Sequence, residues 1–116
     1  MAGQGMNEIA DELLRRSRDG RLAWKQTRKG NEYRVSFPDV SLAISHEPTL
    51  NTYQLDLINE AGSVIESIEW SPFYSPNEKQ EDKDFRRDIL QDIYGFAEMY
   101  VQEEVAQRAL QYLKQS

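Results

Sequence analysis

The chain carries one histidine, His46, and no cysteine among its 116 residues. A histidine acts as a general base only beside a nucleophile or a water and an orienting carboxylate. Nothing around His46 in the sequence nominates such partners, so it reads first as a hydrogen-bonded residue at a strand end. The lack of cysteine removes disulfides, thiolate metal sites and a thiol nucleophile together. The acidic pairs Asp88/Asp92 and Glu81/Asp84 stand at helical spacing but lack the central glycine and terminal glutamate of a calcium loop, and read as solvated surface. No Gly-rich phosphate loop, Gly-x-Ser-x-Gly elbow or metal-ligand spacing is present. No catalytic, cofactor-binding or metal-ligating residue is therefore assigned, and no cofactor is expected.

Three other groups of residues could carry function. The aromatic side chains Trp24, Tyr53 and Trp70, with His46, could line a pocket with a few converging polar groups. Ser41, Ala43 and Ser45 lie on a strand face that also holds Ser36, Thr52, Gln54 and Ser67. That face is small and uncharged in a chain that is 29% charged, as expected beneath a partner. Val105, Ala109, Leu110 and Leu113 form a C-terminal apolar stripe that could be an interface. A fourth group is basic: residues 1–40 hold 8 Lys/Arg against 6 Asp/Glu, whereas residues 41–116 hold 6 against 14, giving +2 and −8. The net charge of −6 has the wrong sign for a protein that binds phosphate backbones, so nucleic-acid contact through Arg15, Arg16 and Arg18 is the weakest alternative.

The elements that would position these residues follow from hydrophobic spacing. Met6, Ile9, Ala10, Leu13 and Leu14 predict a helix over roughly Glu8 to Arg18, with Asn7 as its N-cap and Gly20 ending it. Residues 1–5 are expected to be disordered, and 6–116 to form a single α+β domain. After Gly20 the period becomes two. Leu22 and Trp24, then Tyr33, Val35 and Phe37, then Val40, Leu42 and Ile44, then Tyr53, Leu55 and Leu57 each alternate with polar residues. A fifth strand from about Ser63 to Trp70 has Glu66 in phase with apolar residues, which calls for a bulge or an edge position. Short turns make the five strands an antiparallel meander.

The stretch from Ser71 to Asp84 predicts a long irregular connection, with Phe73 and Tyr74 tacked onto the core. From about Asp84 the spacing becomes helical again, and Phe85, Ile89, Ile93, Phe96 and Tyr100 fall within about 80° of arc, with Leu90 and Ala97 on one flank. Beyond Val101 the apolar residues move to the opposite side. Either the helix breaks near Gln102 to Glu104 and folds back, or it runs straight and its second half serves another surface.

Leu13-Leu14, the Gly20-Arg21-Leu22-Ala23-Trp24 opening, Tyr33-Arg34-Val35, the run from Tyr53 to Leu57 before Glu60-Ala61-Gly62-Ser63, and Ile93-Tyr94 with Ala97 resemble a family of small uncharacterised bacterial domains. The resemblance implies a helix, a meander and a helical tail of two consecutive helices, and it assigns no functional residue. A weaker likeness is to bacterial secretion chaperones, small, acidic and dimeric, whose helix between strands has no counterpart here.

These readings lead to a non-enzymatic protein-interaction or regulatory module with a protein partner or self-association, leaning to a homodimer. The rivals are a small-ligand-binding domain or small enzyme with an aromatic pocket, and nucleic-acid contact. The N-terminal residues are neither basic nor apolar enough for a leader, and no run reaches the roughly 18 apolar residues of a membrane span, so a cytoplasmic protein without membrane contact is expected.

Overall fold

A computed structural model describes residues 2–73 and 76–116. The fold is α+β: a helix, a five-stranded antiparallel sheet in meander order, and a long C-terminal helix packed on the sheet. Helix α1 (Ala2–Arg18) buries Met6, Ala10, Leu13 and Ser17, one face at helical spacing. Its end is a Schellman turn: Gly20, at φ 69°, donates to Ser17 O and Arg21 donates to Arg16 O at 3.0 Å. The start differs from the sequence expectation. Residues 2–5 continue the helix, so Asn7 lies inside it and caps nothing. Met1 lies outside the described residues.

The strands are β1 (Lys25–Gln26), β2 (Glu32–Ser36), β3 (Val40–Glu47), β4 (Thr52–Asn59) and β5 (Val64–Trp70), each paired with the next. Strand β1 is shorter than the alternation of Leu22 and Trp24 suggests, yet both side chains are buried, because the chain before β1 already lies under the helices. Asn51 at φ 53° and Gly62 at φ 88° supply the left-handed residues of the last two hairpins. The irregularity in β5 resolves as both remedies at once. β5 is an edge strand, and pairing shifts from Leu57↔Glu66 to Ile58↔Val64, leaving Ile65 as the extra residue of a bulge.

One face of the sheet carries the core. Trp24, Tyr33, Val35, Leu42, Ile44, Tyr53, Leu55 and Trp70 pack with Met6, Ala10 and Leu13 of α1 and with Leu90, Ile93 and Ala97 of helix α2 (Gln80–Gln115). The Trp24 indole N–H donates to Ser17 Oγ at 3.2 Å, tying α1 to the segment before β1.

Three phenylalanines fall outside the core that spacing assigned them. Phe37 sits at the β2–β3 turn, where its amide closes on Val40 O at 2.8 Å; it is 44% exposed and borders a cleft with Ile9, Leu13, Leu22 and Leu42 at the rim of the core. Phe73 is exposed in the connection before α2, and Tyr74 lies outside the described residues. Phe85 is 65% exposed: α2 turns its Leu90, Ile93 and Ala97 line to the sheet, leaving Phe85 beside the cleft between α1 and α2.

Helix α2 is unbroken for 36 residues. At a rise of 1.5 Å per residue that is about 54 Å, and it sets the molecule's longest dimension of 59 Å against 29 and 25 Å for the others. The radius of gyration, 15.6 Å, exceeds the roughly 13 Å of a compact chain this long because the helix leaves the body. Of the two arrangements open to the sequence, break or straight helix, the straight one is found. The two-helix tail implied by the family resemblance is absent.

Candidate functional site

His46, Tyr53 and Trp70 form one cross-strand row, since His46 pairs with Tyr53 and Tyr53 with Trp70. The His46 and Tyr53 rings stack with centroids 4.3 Å apart, and Tyr94 of α2 meets His46, Tyr53 and Tyr33 edge-on at 5.6, 6.0 and 5.3 Å. Trp24 is elsewhere in the core, so the structure gathers three of the four aromatic candidates and adds Tyr33 and Tyr94. Sequence reasoning passed over Tyr94. The available signal was its place four residues after Leu90 and three before Ala97, the helix line that faces the sheet.

This row is packed rather than hollow. Five of the best-formed clefts among the described residues are lined by none of Trp24, His46, Tyr53 and Trp70. His46 Nε2 lies 3.0 Å from Asn51 Oδ1, and its backbone pairs with Asn31, whose Nδ2 donates to His46 O at 2.7 Å. The Asn51 side chain holds the ring's orientation. Burial pushes the Tyr94 phenol up to about 12, with Tyr33 and the Glu98 carboxylate adding to it. Burial and then Glu98 also raise Tyr33 and Tyr53. These phenols stay protonated at neutral pH, which suits packing and not proton transfer. Among the described residues no group of three or more His, Asp or Glu is placed to hold a metal ion.

Much of the outer face of the sheet is hydrogen-bonded within itself. Ser41 Oγ donates to Ser36 Oγ at 3.0 Å, and Asp56 Oδ1 accepts from Gln54 Nε2 at 2.7 Å and Ser67 Oγ at 2.6 Å. Ala43 stands between Arg34 and Asp56 in register and is 1% exposed; Ser41 and Ser45 are half-buried. The small side chains make this face smooth; Ser36, Ser41, Gln54, Asp56 and Ser67 are hydrogen-bonded among themselves, whereas Arg34 Nε on the same face is buried without a hydrogen-bond partner.

Two of the three basic residues of α1 are engaged, and Arg18 has no ionic partner among the described residues. Arg15 and Arg16 both pair with Glu12, the latter at 2.9 Å, and the adjoining cleft is lined by Glu8, Asp11, Glu12 and Arg15. Carboxylates in that cleft oppose a phosphate ligand.

The C-terminal part of α2 is the region with most surface left unanswered. Up to Ala97 the helix is apolar towards the body and polar outward, where Asp84, Asp88, Gln91 and Asp92 lie. After Val101 the sides exchange. Glu104, Gln107, Arg108 and Gln111 continue the line of the buried residues and, with Gly20 and Tyr100, wall an open groove of about 730 Å³. Val105, Ala106, Ala109, Leu110 and Leu113 fall within about 140° on the other side, pointing away from the body. Every residue from Gln102 to Ser116 is exposed, with Leu113 at 72% and Val105 at 56%. The four interface candidates Val105, Ala109, Leu110 and Leu113 are thus brought onto one side of the helix, all exposed, with Leu110 at its edge also bordering the groove. Among the described residues no helix is long and apolar enough to cross a membrane.

Comparison of the chain with protein-family models, with curated proteins and with solved structures finds no match.

Proposed function

We propose that this chain is a non-enzymatic protein-interaction module whose contact element is the projecting end of α2. One observation carries the reading: the helix exchanges its apolar and polar sides near Val101, so that its last four turns offer an apolar stripe to solvent. Helices on the surface of a domain turn such a stripe inward. Leaving each large side chain in water forgoes roughly 1.5 to 3 kcal/mol that burial would supply. A sequence selected only to fold would place glutamate and lysine there. The packed aromatic row supports the same reading, because its rings lie in contact with one another and its phenols stay protonated at neutral pH.

A photo-crosslinking residue tests this when placed at Leu110 on the stripe, at Gln107 on the polar side, and at Ser41 on the sheet face, in the cells that make the protein. Protein adducts are expected at Leu110 and not at Gln107 or Ser41. Tight binding of a metabolite, with no protein adduct at any of the three positions, would favour the ligand-binding alternative and overturn the reading.

A further inference from the structure

We infer that the stripe is covered by the same stripe of a second copy of this chain, the two α2 extensions crossing antiparallel about a two-fold axis near Arg108 and Ala109. This rests on the interaction-module reading and names its partner. Three features of the extension select a second copy and the antiparallel sense.

The first is shape. Ala106 and Ala109 occupy the middle of the stripe, flanked by Val105, Leu110 and Leu113. Small residues at the crossing let two helix backbones approach, while the larger ones on either side fill the space where the helices diverge. A two-fold crossing uses one patch twice and needs no second kind of surface.

The second is charge. Arg108 pairs with Glu104 at 3.7 Å on the polar side. Glu103 and Lys114, which edge the stripe beside Leu110, have no ionic partner among the described residues. In an antiparallel two-fold pair, the same edge of each helix meets the same edge of the other, running in reverse. With the axis between Arg108 and Ala109, residue 103 of one copy lies level with residue 114 of the other, so Glu103 meets Lys114 twice. A parallel pair sets Glu103 level with Glu103 and Lys114 level with Lys114.

The third is access. The extension projects beyond the body on the side away from it, so antiparallel pairing places the two bodies at opposite ends of the paired helices and they do not collide. Four turns from each copy make a contact at the small end of specific interfaces.

The chain has no cysteine, so single introduced cysteines give an unambiguous readout. Ala109→Cys is expected to form a disulfide-linked dimer on mild oxidation. Leu113→Cys is not, because antiparallel pairing holds its two copies roughly 13 Å apart along the helix at 1.5 Å per residue, beyond the ~7 Å that a disulfide tolerates between Cα atoms. Sedimentation equilibrium of the unmodified chain should give twice the 13.5 kDa chain mass at high micromolar concentration. Glu103→Lys should weaken the dimer roughly five- to tenfold, and Glu103→Lys with Lys114→Glu should restore it. Efficient crosslinking through Leu113→Cys would replace the antiparallel pair with a parallel one. A chain that stays monomeric overturns the inference. If Leu110 still captures a different protein, the interaction-module reading survives; if it captures nothing, both fall.

Discussion

Tyr94 joins the two layers of the domain, since its ring is the only one of the row contributed by a helix. Its phenol also makes that junction sensitive to alkali. The folded chain keeps the Tyr94 proton up to about 12, whereas the unfolded chain releases it near the ordinary value of 10.0. Between those limits the unfolded state binds fewer protons, so stability falls as pH rises. The contribution is fully present below pH 10 and is lost as pH climbs through the folded value, at about 1.4 kcal/mol per pH unit from this group. Tyr33 and Tyr53 shift in the same direction and add to the slope. Urea midpoints of wild type and Tyr94→Phe, measured from pH 9 to 12, should therefore converge as pH rises. Profiles that remain parallel would mean that the ring packs without its hydroxyl being confined. None of this was readable beforehand. The sequence showed an aromatic in a helix, but which rings it would meet depended on the angle at which α2 crosses the sheet.

The elements were more legible than the contacts between them. Alternation located β3 and β4 because Leu42, Ile44, Tyr53 and Leu55 repeat every second residue, and Glu66 falling out of phase signalled the bulge in β5. The same method placed Phe85 in the core and put Leu90 and Ala97 on a flank. A helical wheel gives relative angles but no absolute direction, and α2 is rotated so that Leu90, Ile93 and Ala97 meet the sheet. Phe37 and Phe73 misled for a related reason: a large apolar residue at a turn looks like core until the backbone is seen to leave the sheet. α2 also shows that one helix can hold two different surfaces. Leu90 is 0% exposed and Leu110 45% exposed, on the same continuous helix. Leu90→Ala should destabilise the domain by about 2 to 5 kcal/mol through lost burial and a cavity. Leu110→Ala should change the stability of the dilute chain by less than about 0.5 kcal/mol. Chemical denaturation of both variants at low concentration checks this. A loss at Leu110 comparable to that at Leu90 would mean that the extension packs on its own body after all.

At the scale of the molecule, a compact body carries a projecting helix, and the two divide the work of stability and association. Among the described residues, every buried one lies in the body, and no residue beyond Val101 is even half-buried. Removing residues 102–116 should therefore leave the core intact and delete only the surface that pairs. Association of folded chains stabilises them by mass action, so the melting temperature of an associating chain rises with its concentration. For a pair of chains, each tenfold increase above the dissociation constant adds roughly 0.7 kcal/mol per chain, half of the factor-of-ten free energy. In a domain of this size that moves the midpoint by a few degrees. Full-length chain melted at 2, 20 and 200 μM should give a midpoint that climbs by about that amount per decade once dimer forms. The chain truncated after Val101 should melt cooperatively at one temperature across the whole range, equal to the low-concentration limit of the full chain. If the truncated chain melted lower than that limit, the extension would be part of the folding unit. If the full chain's midpoint did not move with concentration, the stripe would belong to a partner other than itself.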